Sequence, residues 1–218
     1  MNPHSGNQFD DRAATWDADP VKVARALAVA AGIQERVPLS RQMRGLEYGC
    51  GTGLLGFALQ PYLGQITLAD SSAGMLATLD EKIAASGASN LRAAKLDLVS
   101  DPLPVERYDV VCSLMTFHHI EDTAQLLRDL FALMAAPGYL CVADLDAEDG
   151  SFHGPEFTGH KGFDRQALAH MAERAGFRDV AFSTVFHMSK PASPGQIEFP
   201  VFLMVARKWS VGIAATIA

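Results

Sequence analysis

The chain has 218 residues, of which 49% are hydrophobic and 20% charged, and its formal net charge is −7. This size and balance are typical of one soluble globular domain and exclude a disordered chain. The acidic balance, without any Lys/Arg run, argues against a nucleic-acid partner, because binding to a phosphate backbone needs a basic surface. No apolar run approaches the roughly 20 residues of a membrane span, and the polar N-terminus lacks the apolar core of a signal peptide, so we expect no membrane partner.

The three cysteines, Cys50, Cys112 and Cys141, fall in or beside predicted buried strands. No Cys-x-x-Cys pair occurs, so neither a zinc site nor a redox disulfide is indicated. We interpret them as packed thiols of a cytoplasmic protein. Asp144, Asp146 and several histidines are expected near one rim, but their spacing matches no ligand pattern and no metal site is predicted.

The N-terminal region 1–32 is predicted to form an arm followed by a helix. Its first 18 residues are mostly polar, with a few apolar side chains between them. Asp19-Pro20 then has the pattern of an N-cap followed by proline in the first helical position, and Gly32 marks the end of the helix.

From Leu46 onward, short apolar runs alternate with helical segments, which is the pattern of a parallel sheet. The predicted strands cover residues 45–48, 65–69, 91–96, 108–114, 139–143 and 180–186. The predicted helices cover residues 54–63, a segment capped by Ser72, a segment from Asp122 to the Pro137-Gly138 stop, and a segment from Asp164 to Gly176. Residues 144–161 have no periodicity and are predicted to form an insertion over the strand ends. The loop 190–195 is too short for a crossover helix, so the last strand, 199–206, is expected to run antiparallel.

The stretch from Leu46 to Gly53 predicts a strand that turns sharply into a helix. Glycine at alternate positions permits unusual backbone angles and close approach of a ligand, and the helix start offers free amides. Glu47 precedes the turn, where a carboxylate repels phosphate and suits an ammonium or sulfonium group. Gly51-x-Gly53-x-x-Gly56 also satisfies the dinucleotide fingerprint, with Asp70 placed 17 residues beyond Gly53. Both kinds of ligand remain open at this point.

Glu47-x-Gly49-x-Gly51-x-Gly53 resembles the first motif of class I S-adenosylmethionine-dependent methyltransferases of the small-molecule type. The resemblance continues through acids that end the next two predicted strands, the segment Tyr108–Ile120 with its His-His pair, and the segments around Phe163 and Gly176. It implies an α/β fold with a doubly wound, seven-stranded, mostly parallel sheet and an antiparallel last strand. It also implies a single methyltransferase domain over residues 1–218.

The resemblance implies a set of residues that bind S-adenosyl-L-methionine. Asp70 would accept the ribose hydroxyls, Asp97 would bind the adenine amino group, and the Leu98 amide would meet the ring nitrogen. The complete implied set is Trp16, Glu47, Gly49, Cys50, Gly51, Gly53, Asp70, Ser71, Met75, Asp97, Leu98, Ser113 and Leu114. The pattern Phe9-Asp10-x-x-Ala13-x-x-Trp16-Asp17 resembles an arm that folds over the cofactor in relatives, although Phe9 and Trp16 could instead only anchor the arm.

Methyl transfer to a hydroxyl or ammonium group requires loss of a proton, and histidine is the usual base near neutral pH. The candidates are His118 and His119, which follow the fourth predicted strand, and His160, which lies with His153 in the insertion 144–161. We expect one of the adjacent pair to face the methyl group and the other to pack. The acceptor is expected to be a small molecule, while its identity and the oligomeric state are not indicated. The alternatives are an NAD-binding oxidoreductase, for which no Tyr-x-x-x-Lys pair is present, and a non-catalytic S-adenosylmethionine-binding protein.

Overall fold

The structure is a computed structural model that describes residues 9–191 and 195–210. Seven strands in these ranges form one sheet: β1 (Gly45–Tyr48), β2 (Ile66–Asp70), β3 (Leu91–Lys95), β4 (Tyr108–Leu114), β5 (Met134–Leu145), β6 (Arg178–Pro191) and β7 (Gln196–Lys208). The helices are α1 (Pro20–Arg36), α2 (Leu54–Leu59), α3 (Ala73–Ser86), α4 (Thr123–Leu133) and α5 (Arg165–Ala175). Two short 3₁₀ helices cover Ala13–Ala18 and Phe117–His119.

The strand order is β3-β2-β1-β4-β5-β7-β6. Strands β1 to β5 pair in parallel, whereas β7 lies antiparallel between β5 and β6. This confirms the predicted fold class, including the reversed last strand. The order changes direction between β1 and β4, so the carboxyl ends of these strands border the crevice in which open α/β sheets bind ligands.

Three predicted boundaries differ from the structure. Helix α2 ends at Leu59 instead of residue 63, because the following carbonyls accept hydrogen bonds from Asn90 and Arg41 and the chain turns there. Helix α4 ends at Leu133, before the predicted Pro137-Gly138 stop, because Met134 already pairs with β4. The β6–β7 hairpin is longer than predicted, since ladder pairing continues almost to the turn.

The segment predicted as an insertion, residues 144–161, also begins differently. Strand β5 continues through Leu145, and an isolated bridge pairs Asp146 with Phe163. The bridge joins the two ends of the intervening segment. We call residues 146–163 the cover segment.

Apolar layers pack on both faces of the sheet. Helices α1, α2 and α3 cover one face, and α4 and α5 cover the other with buried side chains such as Leu127 and Leu168. Strands β5 and β7 are buried on both faces, and Asp144 is fully enclosed near the carboxyl end of β5. Polar chemistry is therefore concentrated at the carboxyl edge of the sheet. Among the described residues, no helix combines the length and apolar character needed to cross a bilayer.

Candidate active site

The turn between β1 and α2, residues 49–53, has three glycines with positive φ. A Cβ atom on Gly49 would lie 2.3 Å from the Thr116 side chain, so no larger residue fits. A Cβ atom on Gly51 would have the Met75 sulfur and the Trp16 ring nitrogen as its nearest neighbours, at 3.8 and 3.9 Å. The main chain of this glycine turn is therefore open to a ligand that extends between Met75 and Trp16.

Glu47 lies beneath the glycine turn and does not project from it. Its Oε2 atom accepts a hydrogen bond from the Gly56 amide at 2.8 Å, and only 2% of the residue is exposed. Burial raises the pKa of Glu47 to about 8, against the opposing effect of the Gly56 bond. The sequence suggested an ionised carboxylate for a cationic ligand; the enclosed β1 strand instead favours a neutral carboxyl that supports α2. Cys50 is also buried here, which raises the pKa of its thiol.

Asp70, at the end of β2, holds the glycine turn from the side. Its Oδ2 atom accepts a hydrogen bond from the Gly51 amide at 2.7 Å, and Oδ1 accepts from the Ser72 amide at 2.9 Å. Partial burial raises the pKa of this carboxyl, while these amides lower it. Each carboxylate oxygen has a second lone pair, so the group can accept further hydrogen bonds from a ligand. Ser71, between the two, is exposed.

The turn after β3 satisfies its own polar groups. The Asp97 carboxylate accepts hydrogen bonds from the Val99 amide and the Ser100 hydroxyl, both at 3.0 Å. The Leu98 amide, which the resemblance assigned to the adenine ring nitrogen, instead donates to the Tyr48 hydroxyl at 3.3 Å. Asp97 and Leu98 thus lie on the same edge as Asp70.

Residues 9–18, which we call the arm, lie across the glycine turn. The Asp10 carboxylate accepts hydrogen bonds from the Ser72 hydroxyl at 2.5 Å and the Gly74 amide at 2.8 Å. These bonds, the Ser72 one first, lower the pKa of Asp10.

The other end of the arm is held by a second carboxylate. Asp17 accepts a hydrogen bond from the Thr52 hydroxyl at 2.5 Å and pairs with the Lys82 ammonium at 2.6 Å. Two acids therefore attach the arm on either side of Trp16. The sequence did not indicate these partners, which lie more than 30 residues away along the chain.

The end of β4 connects the glycine turn to the histidine pair. The buried Ser113 hydroxyl donates to the Tyr48 carbonyl at 2.8 Å, and Leu114 is partly exposed. Met115 then adopts a left-handed conformation with φ of 55°, which is uncommon for a residue other than glycine. The Thr116 hydroxyl donates to the Gly49 carbonyl at 3.1 Å. The chain thus passes close to the glycine turn before it reaches His118.

His118 and Asp144 form a pair that is inaccessible to solvent. The Nδ1 atom of His118 lies 2.6 Å from Oδ1 of Asp144, whose Oδ2 accepts from the His118 amide at 3.2 Å. Because an ionised carboxylate only accepts, this contact assigns the proton to Nδ1. The Nε2 atom is buried and has no hydrogen-bond partner among residues 9–191 and 195–210. The pair therefore presents an oriented imidazole lone pair.

Three further rings surround His118. The ring centroid of His119 lies 4.1 Å away and that of His153 4.9 Å away, and His153 stacks on Phe157 at 4.0 Å. Desolvation by these rings lowers the pKa of His119 to about 3 and that of His153 to about 4, while both residues keep part of their surface exposed. The ring centroid of Phe9, in the arm, lies 5.3 Å from that of His119. The arm and the cover segment thus meet at the histidine pair.

His160 has a different environment from the other histidines. Its Nε2 atom lies 3.0 Å from the Ile120 carbonyl and 3.1 Å from the Glu121 carbonyl, and its amide donates to the His118 carbonyl at 2.8 Å. The ring nitrogen is thus directed at main-chain oxygens. This geometry favours an anchor for the cover segment over the catalytic role expected from the sequence.

Comparison with known proteins places the chain in a family. The family model described as a methyltransferase domain matches residues 21–181. An uncharacterized methyltransferase of Schizosaccharomyces pombe is 33% identical over 152 residues, which are 62% of this chain and 53% of that protein. The chain thus matches about half the length of this relative.

Solved structures with a similar fold have low sequence identity. A putative methyltransferase from Bacillus halodurans superposes with a TM-score of 0.70 at 17% identity, covering 83% of this chain and 99% of that one. Phosphoethanolamine N-methyltransferase 2 of Haemonchus contortus, in complex with S-adenosyl-L-methionine, superposes with a TM-score of 0.67 at 17% identity, covering 83% and 52%. The family match decides between methyl transfer and the dinucleotide alternative: the chain belongs to the methyltransferase domain family.

Proposed function

We propose that the protein methylates a small-molecule acceptor bound between the glycine turn and the cover segment, with His118 as the general base. The observation that carries this proposal is the buried His118–Asp144 pair, in which Nδ1 is held at 2.6 Å and Nε2 has no partner among the described residues. Buried polar atoms are rarely left without a partner unless a ligand or chemistry uses them. His119, with one edge exposed beside Phe9, would orient the acceptor.

The cofactor is proposed to bind along the glycine turn. When bound, S-adenosyl-L-methionine supplies an electrophilic methyl group on a sulfonium. Met75 and Trp16 border the open space above Gly51, and Asp70 offers lone pairs to the ribose hydroxyls. The remaining proposed contacts come from the other turn and strand-end residues, namely Gly49, Cys50, Gly53, Ser71, Asp97, Leu98, Ser113 and Leu114. Glu47 would act indirectly, by supporting the turn from beneath.

The arm is proposed to act as a lid. The Asp10 and Asp17 carboxylates attach it beside the glycine turn, and Phe9 extends to the histidine pair. A ligand on the turn would be covered by Trp16. Covering the site excludes water and strengthens the electrostatic interactions within it.

The acceptor side is proposed to take a small, partly planar molecule. The rings of His119, His153 and Phe157 offer apolar faces, and the low pKa values keep both of these histidines neutral at pH 7. Holding the acceptor in line with the methyl donor can lower the activation free energy by on the order of 7–11 kcal/mol. His118 Nε2 takes the acceptor's proton, and Asp144 stabilises the imidazolium that forms.

The test is a matched pair of histidine variants. His118→Gln should lower methyl transfer by about 10²–10⁴-fold while affinity for S-adenosylhomocysteine stays at the wild-type value. The control, His170→Gln, changes an exposed histidine on α5 and should transfer normally. Transfer is measured as S-adenosylhomocysteine formed with a panel of small hydroxyl, amine and thiol compounds, and binding by calorimetry. Undiminished turnover in His118→Gln would exclude His118 as the base.

A further inference from the structure

We infer that Arg25 is the anchor for an oxyanion, a carboxylate or a phosphate, on the methyl acceptor. This inference rests on the proposed function, because it names the class of compound that the acceptor side takes. Arg25 projects from α1, and only 7% of the residue is exposed. It is the most enclosed cation near the site, in a chain whose overall charge is negative.

The Arg25 guanidinium lacks an oxygen partner within the described residues. Its Nε atom is buried without a hydrogen bond, and Nη1 lies 3.0 Å from the Met188 sulfur, which is a weak acceptor. No Asp or Glu side chain lies within 4 Å as an ion-pair partner, and residues 1–8, 192–194 and 211–218 contain neither residue type. A buried charge without a partner is costly, so such an arrangement indicates a ligand of opposite charge.

Two carboxylates act on the charge of Arg25 from a distance. The charges of Asp144 and Asp19 oppose the burial that lowers the pKa of Arg25. Asp144 belongs to the pair that holds His118, and Asp19 caps α1 beside the arm. The contact with Met188 on β6, which pairs with Phe199 beside Phe152 of the cover segment, places Arg25 at the carboxyl edge of the sheet, on the acceptor side.

Both carboxylates already have partners. Asp144 binds His118 and the Leu145 amide, and Asp19 binds Lys22 at 3.0 Å and the Val21 amide at 2.9 Å.

The next acid along the chain is also paired. Asp146 accepts two hydrogen bonds from Arg165, at 2.6 and 2.7 Å. Arg25 is therefore left to recognise an incoming anion, and its planar fork suits a carboxylate or phosphate.

The experiment uses matched probes that differ in charge. Benzoate, phenyl phosphate and neutral benzamide are titrated by calorimetry into the full chain saturated with S-adenosylhomocysteine. We expect at least one anion to bind about tenfold to a hundredfold more tightly than benzamide. The tighter of the two anions identifies the carboxylate or the phosphate as the preferred group. Equal binding of all three probes, or no binding of either anion, would overturn the inference.

Three variants assign the preference to Arg25. Arg25→Met, which keeps the apolar stem, should abolish the preference for the anion, and Arg25→Lys should retain part of it. Arg174→Met, an exposed arginine on α5, should behave as the wild type. If Arg25→Met does not fold, Arg25→Lys still tests the site, because loss of bidentate geometry should weaken anion binding without affecting benzamide. A full preference in either Arg25 variant would contradict the proposal.

The test of the anion site can fail or succeed independently of the test of His118 as the base. His118→Gln should keep the anion preference, since it leaves Arg25 unchanged, while losing methyl transfer. Loss of the preference in Arg25→Met with normal transfer in His118→Gln would support the anion site and refute the base. The reverse pattern would support the base and refute the anion site.

Discussion

The two sides of the candidate site differ in how completely their polar groups are satisfied. On the cofactor side, the carboxylates of Asp10, Asp17 and Asp70 each have at least two hydrogen-bond or ion-pair partners. On the acceptor side, His118 Nε2 and Arg25 Nε are buried without partners among the described residues. The cofactor side is therefore preorganised by the chain itself, whereas the acceptor side carries polar groups whose partners a ligand would supply.

The largest effect is expected from Asp144→Asn, which acts on the acceptor side alone. An amide can present its NH₂ group to Nδ1 and reverse the tautomer, so Nε2 would no longer accept a proton. We expect turnover to fall by about 10²–10⁴-fold while the affinity for S-adenosylhomocysteine is unchanged. Steady-state transfer assays and calorimetry measure the two quantities, with Asp80→Asn on the exposed side of α3 as the control. A parallel loss of cofactor affinity would contradict the separation of the two sides.

A smaller effect is expected from Asp70→Ala on the cofactor side. The substitution removes the acceptor for the Gly51 and Ser72 amides and the proposed partner of the ribose hydroxyls. Affinity for S-adenosyl-L-methionine should fall by roughly 10-fold to 100-fold, because bonds to a charged group are lost. Calorimetry with Asp80→Ala as the control measures this change. Unchanged affinity would remove Asp70 from the site.

The residues of the cofactor side could be predicted from the sequence more completely than those of the acceptor side. Asp70 could be placed because acids at the ends of adjacent parallel strands share one edge, and the glycine turn identified the crevice. Asp144 was assigned to the start of a loop, and its pairing with His118 depends on the β4–β5 register across 26 residues. Sequence periodicity does not report such long-range contacts.

Arg25 carries a weak sequence signal, which is its position on an apolar helix face. Its neighbours along the buried stripe of α1, at residues 29 and 33, are apolar, so a charge on that stripe is unusual. The antiparallel last strand was correctly predicted, because a short loop leaves no room for a crossover helix. Helix ends were less accurate, since side chains such as Asn90 end α2 through tertiary contacts.

A variant of the arm should have a smaller effect on the cofactor side. Asp10→Ala removes the acceptor for the Ser72 hydroxyl and the Gly74 amide, and should loosen the arm without unfolding it. Release of S-adenosylhomocysteine should accelerate by about twofold to tenfold, as expected for the loss of ordinary hydrogen bonds. Stopped-flow fluorescence of Trp16 measures release, and the exposed neighbour Asp11 supplies the control variant Asp11→Ala. An unchanged release rate would reduce the arm to a structural attachment.

The smallest effect on activity is expected from Glu47→Gln, whose consequence is on stability. The pKa of Glu47 is raised from 4.5 to about 8, so its stabilising contribution is complete below pH 4.5 and is lost as pH rises through about 8. A neutral Gln has no such loss and retains an oxygen for the Gly56 amide. The melting temperature of the variant should therefore change less than that of the wild type between these pH values, with transfer unchanged at pH 7. If the melting temperatures of the variant and the wild type depend on pH in the same way, burial does not raise the pKa of Glu47 in the folded protein.

The hydrogen bond from the Thr116 hydroxyl to the Gly49 carbonyl attaches the segment that leads to His118 to the glycine turn. The cover segment joins this scaffold at its ends, through the Asp146–Phe163 bridge and the contacts of His160, and in its middle, where the buried Phe152 packs against Phe199 of β7. The proposed acceptor side thus draws on α1 through Arg25 as well as on the cover segment, whereas the glycine turn lies between β1 and α2. Substitutions in the cover segment that retain Phe152 would therefore change the proposed acceptor side while the Thr116–Gly49 hydrogen bond stays in place.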